Sequence, residues 1–191
     1  MAYMVKQGIA EIAISEDSDL IAYGCPKMLM KLDFNGSAQE WCVEEFKTLK
    51  VDLEKDKSLK TLQQLQALSP EDFSFACCMA GCEYLPNIER VGLKVTLKHF
   101  EKQKSFDEVM KFLRSNKATK ERIPENYEEK ARQVVELFRY QTVLDTRTLE
   151  LTQLSSIYDT AELNMDYCGP HEALLDNLEE FSRGEIYRST G

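Results

Sequence analysis

The spacing of apolar residues divides the chain into short strands near its beginning and helices over most of the remainder. In the longest amphipathic stretch, Ala131, Val134, Val135 and Phe138 recur at the three-to-four-residue spacing of a buried helical stripe. The pattern predicts strands at 11–15 and 27–33, a strand or hairpin at 142–154, and helices at 1–7, 58–68, 70–81, 92–102, 105–114, 124–140 and 170–182. This order predicts a helix-rich α/β fold.

Capping residues mark where two of these helices begin. Ser69 precedes a proline and two acids, the combination typical of an N-cap followed by the first helical turn. Ser105 and Glu108 form a second capping box. Gly8 and Gly81 follow predicted helices and indicate where they end.

Two carboxylates follow the first predicted strand. Asp17 and Asp19 lie two residues apart, so in extended geometry their side chains point the same way. Like charges at that distance destabilise each other unless one is protonated or a cation lies between them. Mg²⁺ prefers oxygen ligands, and the pair therefore predicts a site for a divalent ion. The alternative is a solvated turn, for which Asp and Ser are equally suitable.

A second acidic position and a basic helix come later in the chain. Glu83 lies just beyond the helix that ends at Gly81, and residues 85–92 contain turn-forming proline and glycine. The next predicted helix carries three lysines at one-turn spacing on one face: Lys94, Lys98 and Lys102. Its N-terminus would offer free amides and a positive dipole end to a phosphate group.

These segments resemble the later half of the nuclease domain of the flap endonuclease superfamily, and most of all its exonuclease 1 branch. Residues 16–24 read Glu-Asp-Ser-Asp-Leu-Ile-Ala-Tyr-Gly, and residues 81–86 read Gly-Cys-Glu-Tyr-Leu-Pro. The likeness continues through 123–127, 138–145 and 166–169, so it covers nearly the whole chain.

The resemblance implies part of a 5′-nuclease (PIN-like) sheet followed by a helix–two-turn–helix region that binds DNA. It implies two Mg²⁺ ions held by an acidic cluster in which Asp17, Asp19 and Glu83 are catalytic and metal-binding residues. The DNA contacts that it implies come from the turn and the helix after it: Arg90, Val91, Gly92, Lys94 and Lys98.

The chain departs from the family's pattern at several of these positions. Glu83 stands where the family has aspartate, and its longer side chain would shift a bound metal. Ala80 and Asn87 replace serines that help to hold a potassium ion in relatives, and Arg90 occupies a glycine position. A non-glycine residue is strained there if the backbone dihedral φ is positive. These changes argue against potassium binding.

The beginning of the chain also matters for the expected activity. In relatives, the segment equivalent to 1–4 follows a Glu-Ala-Asp segment that supplies two further metal ligands, and two more aspartates lie upstream. We therefore expect a polypeptide that begins at Met1 to hold only part of the ligand set and to be inactive by itself.

Charge and composition restrict the class of protein. The net charge of −9 at pH 7 is unusual for a general nucleic-acid binder. The basic residues nevertheless concentrate in 90–122, whereas acids dominate 159–185, which fits a middle segment that faces DNA. No apolar run long enough to predict a transmembrane helix occurs, and the first residues lack the order of a secretory signal.

Six cysteines without a secretory signal indicate reduced thiols. Cys77, Cys78 and Cys82 fall in or beside an apolar helical run, and there is no paired Cys-x-x-Cys arrangement. We interpret them as small core residues rather than zinc ligands.

Three regions are predicted: the end of the nuclease α/β core (1–68), a helical DNA-binding region (69–141) and a carboxyl-terminal extension that packs on the core (142–191). The implied function is Mg²⁺-dependent 5′→3′ exonuclease and 5′ flap endonuclease activity in nuclear DNA repair. The implied partners are duplex DNA with 5′ ends or flaps and DNA-repair proteins, and the chain is expected to be a monomer. The alternative is a truncated, non-catalytic DNA-binding or partner-binding module. An acidic helical protein unrelated to DNA would not explain why both motifs occur together.

Overall fold

The computed structural model describes residues 1–54, 56–156 and 166–169. The chain divides into two compact units, Met1–Phe138 and Arg139–Gly191. The three regions predicted from the sequence stay a prediction, because this division addresses compactness and not their roles.

Helices predominate among the described elements. The helices are α1 Ala2–Lys6, α2 Asp19–Ala22, α3 Val43–Thr48, α4 Lys60–Gln66, α5 Pro70–Ala80, α6 Leu93–Gln103, α7 Phe106–Ser115, α8 Lys117–Lys120 and α9 Tyr127–Tyr140. The strands are β1 Ala13–Ile14, β2 Lys27–Met30, β3 Gln39–Cys42, β4 Thr142–Asp145 and β5 Glu150–Gln153. The predicted helix-rich α/β class is confirmed.

A small mixed sheet lies in the first unit. Its order is β1-β2-β3, with β1 parallel to β2 and β3 antiparallel to β2. The turn between β2 and β3 is held by Asp33, whose Oδ1 accepts hydrogen bonds from the backbone N–H groups of Asn35 and Ser37. The buried side chain of Met28 lies opposite Trp41 of the edge strand. The sheet thus places the residues after β1 beside β2.

The core of the first unit is mainly helical. Phe75 of α5 stacks on Phe106 of α7, with ring centroids 4.0 Å apart and an interplanar angle of 7°. The guanidinium of Arg132 lies over both rings, at 6.0 and 5.4 Å from their centroids. Helix α9 contributes Tyr127, Val135 and other buried residues to the same cluster. These contacts join α5, α7 and α9 into the body that supports the candidate site.

The predicted helix start at Ser69 is confirmed by its capping geometry. Ser69 Oγ accepts a hydrogen bond from the backbone N–H of Asp72 at 3.0 Å and donates one to its Oδ2 at 2.7 Å. Asp72 Oδ1 also accepts from the N–H of Phe106, the first residue of α7. One carboxylate therefore fixes the beginnings of two helices.

Most of the predicted elements are confirmed, with shorter boundaries. The predicted strand 11–15 is reduced to β1, and 142–154 forms the antiparallel hairpin β4–β5, one of the two alternatives. Helices α2, α3 and α8 and strand β3 were not predicted, because each has only four to six residues and shows little periodicity. The predicted helix 170–182 lies outside the described residues.

Among the described helices, none has the length and apolar character needed to cross a bilayer.

We expect Glu128→Gln to lower the free energy of unfolding by about 0.5–1 kcal/mol at pH 7. Arg114 of α7 donates hydrogen bonds from Nε and Nη2 to the Glu128 carboxylate, and this holds the pKa of Glu128 below its ordinary value. A lowered carboxyl pKa stabilises the folded state above the unfolded-state pKa, and the contribution is lost as the pH falls through the lowered value. Urea unfolding at pH 7 and at pH 3 measures the difference.

Glu129→Gln is the matched control, because Glu129 is the next residue in the first turn of α9 and its side chain is exposed. The control should lose less stability than Glu128→Gln at pH 7. Equal losses in the two variants, or a loss that does not shrink at pH 3, would contradict the assignment.

Candidate functional site

Asp17 and Asp19 lie in a tight turn between β1 and α2. The Asp17 N–H donates to Ser15 Oγ at 3.1 Å, and the Asp19 N–H donates to Asp17 Oδ1 at 2.9 Å. Asp19 is the first residue of α2, so the pair is brought together by a turn and not by an extended strand. Asp17 therefore has the turn-forming role of the alternative interpretation, and its carboxylate still lies beside that of Asp19.

Glu83 is brought to the same place from the other motif. The Asp19 carboxylate accepts a hydrogen bond from the backbone N–H of Glu83. Burial raises the pKa of Asp19, and the negative charges of Asp17 and Glu83 raise it further. The hydrogen bond from Glu83 acts in the opposite direction. The structure thus brings the three predicted acids together, although Asp17 and Asp19 lie more than sixty residues before Glu83 in sequence.

The fit of these acids to a metal ion is incomplete. Within residues 1–54, 56–156 and 166–169, no three or more His, Cys, Asp or Glu side chains are arranged to hold an ion. One oxygen of Asp17 already accepts a backbone hydrogen bond. The described residues therefore supply carboxylates to one locality but do not form a complete coordination sphere.

Two tyrosines connect the segments that carry the acids. The hydroxyl groups of Tyr23 and Tyr84 are 2.9 Å apart and share a hydrogen bond. Both rings meet Phe138 edge-on, at centroid distances of 5.0 and 6.2 Å. Burial raises the pKa of Tyr23, with the hydrogen bond to Tyr84 as the next cause. The sequence contained a signal for this pair, since Tyr23 lies one helical turn after Asp19 and Tyr84 directly follows Glu83.

The turn between α5 and α6 is anchored by buried side chains. Leu85, Ile88 and Val91 are at most 4% exposed, and the Val91 N–H donates to the Ile88 carbonyl oxygen at 2.8 Å. Arg90 has a positive φ of 64°, the strained case considered for a residue at a glycine position. The proposed contact between Val91 and a phosphate stays a prediction, and its side chain belongs to the core.

The beginning of α6 is open to solvent and positively charged. Gly92 is its N-cap and has no side chain that could accept a hydrogen bond from the first-turn amides. Lys94 and Lys98 are exposed, one helical turn apart. Arg90 lies just before them, with Nε 3.4 Å from Glu89 Oε1 in an exposed ion pair. Four of the five predicted DNA-binding residues, Arg90, Gly92, Lys94 and Lys98, are therefore at least partly exposed. The side chain of Val91 is buried.

Comparison with known proteins finds relatives that match most of this chain. The XPG I-region family profile matches residues 1–83. Exonuclease 1 of Oryza sativa is 29% identical over 170 residues, or 89% of this chain and 19% of the relative. Exonuclease 1 of Xenopus laevis is 30% identical over 196 residues, or 97% of this chain and 25% of the relative.

Residues 1–83 carry the XPG I-region of the exonuclease 1 and flap endonuclease family of 5′-nucleases. Flap endonuclease 1 of Bos taurus is 30% identical over 150 residues, which cover 78% of this chain and 35% of that protein. A solved flap endonuclease-1 structure from Methanococcus jannaschii matches 70% of this chain and 34% of its own, with a TM-score of 0.42 and 20% identity. The chain spans about a fifth to a quarter of the length of the Exonuclease 1 relatives.

We expect the 191-residue polypeptide to bind Mn²⁺ weakly and the double variant Asp17→Ala/Asp19→Ala to lose that binding. The two carboxylates converge with Glu83, but the described acids do not surround an ion. Isothermal titration calorimetry measures the affinity. Glu44→Ala/Glu45→Ala is the control, because it removes the same charge from the exposed first turn of α3. Unchanged Mn²⁺ binding in the aspartate variant would show that Asp17 and Asp19 are not metal ligands.

Proposed function

We propose that this chain is part of a Mg²⁺-dependent, structure-specific DNA nuclease with 5′→3′ exonuclease activity on duplex DNA and endonuclease activity at 5′ flaps. We further propose that it acts in the nucleus, in mismatch repair, end resection and recombination, as a monomer that meets other DNA-repair proteins. The observation that carries the proposal is the convergence of the two family motifs, in which Glu83 donates its backbone N–H to Asp19.

Asp17, Asp19 and Glu83 are proposed as the catalytic and metal-binding acids of this chain. Burial raises the pKa of Asp19 and the charges of Asp17 and Glu83 raise it further, and a cation between the three acids would relieve their repulsion. When bound, Mg²⁺ activates water and stabilises the leaving oxygen. The role of the chain is to orient the carboxylates, and the Tyr23–Tyr84 hydrogen bond supports that orientation by joining the two motifs.

The proposed DNA contact is the beginning of α6 and the turn before it. Free amides at the α6 N-terminus would donate to a phosphate, and Lys94 and Lys98 would neutralise neighbouring phosphates on the same strand. Arg90 would add charge at the tip of the turn. Such contacts are to the backbone, so binding would be independent of base sequence.

The alternative is a non-catalytic module that binds DNA or a protein partner. The incomplete arrangement of acids among the described residues favours it, because binding through α6 needs no metal. The two functions differ in one measurable respect: only the nuclease requires Asp19 for the turnover of DNA.

Replacement of the matching segment of Xenopus laevis Exonuclease 1 by these 191 residues should give a chimera that degrades 5′-recessed duplex DNA with Mg²⁺. Asp19→Asn in the chimera should lower the rate by about 100-fold or more, because a carboxylate ligand is replaced by a neutral amide. The 191-residue polypeptide alone should not cleave. Gel analysis of end-labelled duplexes measures all three.

A folded chimera that binds DNA but does not cleave it would support the non-catalytic alternative. Glu45→Gln in the chimera is the control, since this residue is exposed on α3, away from the two motifs in sequence. Cleavage by the polypeptide alone that disappears with Asp19→Ala would contradict the expectation that its ligand set is partial.

The double variant Lys94→Glu/Lys98→Glu should weaken the binding of all duplexes alike. Each lost phosphate contact removes a released counterion, so the slope of log affinity against log salt should fall by about two contacts. Fluorescence anisotropy of labelled duplexes at several salt concentrations measures both changes.

Potassium should give no stimulation over sodium, because Ala80, Asn87 and Arg90 alter the positions that hold this ion in relatives.

Lys27→Glu/Lys50→Glu is the matched control. Both lysines are exposed, and the variant makes the same change in net charge outside the basic stretch 90–122. If the two double variants reduce affinity equally, the effect reflects net charge and α6 is not the DNA-binding element.

A further inference from the structure

Helix α5 ends in a reversal that brings two cysteines together. The N–H of Gly81 donates to the carbonyl oxygen of Cys78 at 3.0 Å, and Gly81 has a φ of 101°. The Cys82 N–H then donates to the Leu85 carbonyl oxygen at 3.0 Å. The Cys82 thiol donates a weak hydrogen bond to the Leu85 carbonyl oxygen at 3.8 Å, and Cys78 is the thiol within hydrogen-bonding range of its sulfur. Position 81 favours glycine, because its φ is positive and a Cβ there would lie 3.3 Å from the backbone nitrogen of Asn87.

The two sulfur atoms differ in their access to solvent. Cys78 is fully buried in the helical core, whereas Cys82 is partly exposed beyond the end of α5. Cys77 is the neighbouring residue, but consecutive helical positions point about 100° apart and the thiol within hydrogen-bonding range of Cys82 is that of Cys78. An oxidant from solvent would therefore reach Cys82 first, with Cys78 as the adjacent thiol.

A third group beside the sulfurs has unused hydrogen-bonding capacity. Tyr127 is fully buried, and its hydroxyl has no hydrogen-bond partner among the described residues. Burial raises the pKa of Tyr127, and the negative charges of Cys78 and Cys82 raise it further, so the hydroxyl lies within electrostatic range of the pair. A buried hydroxyl without a partner is unfavourable, so it favours a species that presents an acceptor oxygen there.

We propose that Cys82 and Cys78 form an oxidation-sensitive thiol pair, a modification site for peroxide that the nuclease chemistry does not use. The Cys82 sulfur attacks one peroxide oxygen, the O–O bond breaks, and the sulfur becomes a sulfenic acid while the other oxygen leaves as water. The Cys78 sulfur then attacks the Cys82 sulfur. A disulfide forms, the S–O bond breaks, and the hydroxyl leaves as water with the proton of the Cys78 thiol. Throughout, the Tyr127 hydroxyl would donate a hydrogen bond to the sulfenic oxygen and keep its proton.

Disulfide formation would tie the residue before Glu83 to the end of α5. The pair lies within the same short reversal, so the bond closes a small loop that the structure already forms. The proposal does not depend on nuclease activity, since it concerns thiol chemistry alone.

The test uses the full 191-residue polypeptide, hydrogen peroxide and mass spectrometry after thiol alkylation. Trypsin releases residues 61–90 as one peptide that contains all three cysteines of this region. Peroxide should lower the mass of this peptide by two hydrogen atoms and protect two of its thiols from alkylation. Dithiothreitol should restore both.

Variants identify the bonded pair. Cys77→Ser is the matched control and should keep the disulfide, whereas Cys82→Ser and Cys78→Ala should abolish it. In Cys78→Ala the sulfenic acid on Cys82 has no resolving thiol, so dimedone should label Cys82. Tyr127→Phe combined with Cys78→Ala should reduce that label severalfold, and circular dichroism checks that each variant is folded.

Three outcomes would overturn the proposal. They are a disulfide that persists in Cys78→Ala, oxidised material linked only between separate chains, and thiols that stay fully reactive after peroxide. If Cys78→Ala and Cys78→Ala/Tyr127→Phe are labelled equally by dimedone, Tyr127 does not contact the sulfenic acid.

Discussion

The burial of Leu85, Ile88 and Val91 is the constraint on which the rest of the site depends. These side chains recur every third residue along a segment without regular secondary structure and insert into the core shared by α5, α6, α7 and α9. Their burial contributes about 1.5–3 kcal/mol each relative to exposure. Because the segment cannot move without exposing them, Glu83 before it and the beginning of α6 after it are held in fixed positions.

The same buried segment separates a negatively charged region from a positively charged one. On one side lie the acids Asp17, Asp19 and Glu83, where burial and then the neighbouring negative charges raise the pKa of Asp19. On the other side, α6 presents its uncapped first turn and two exposed lysines. An overall net charge of −9 therefore does not describe the surface that we propose to contact DNA, since the charges are segregated by the turn between two helices.

The sequence predicted much of this arrangement, for identifiable physical reasons. Capping at Ser69 and the stripe of α9 follow from local rules that do not depend on distant contacts, and both are confirmed. Helix α2 was missed because its four residues carry no repeating apolar pattern. The Tyr23–Tyr84 contact and the meeting of Cys78 with Cys82 depend on tertiary packing and on the backbone reversal at Gly81, which periodicity does not encode. The roles of the acids and of the basic residues stay predictions.

Arg90 presents an exposed charged side chain at a conformational cost. A left-handed backbone at a residue with a Cβ is less favourable than at glycine by about 1–2 kcal/mol. The buried neighbours Ile88 and Val91 maintain this geometry, so the guanidinium is displayed at the tip of a rigid turn. Part of the stability of the core thus offsets the cost of a left-handed backbone at Arg90, and a substitution that loosens Ile88 or Val91 would also free the direction in which this side chain leaves the turn.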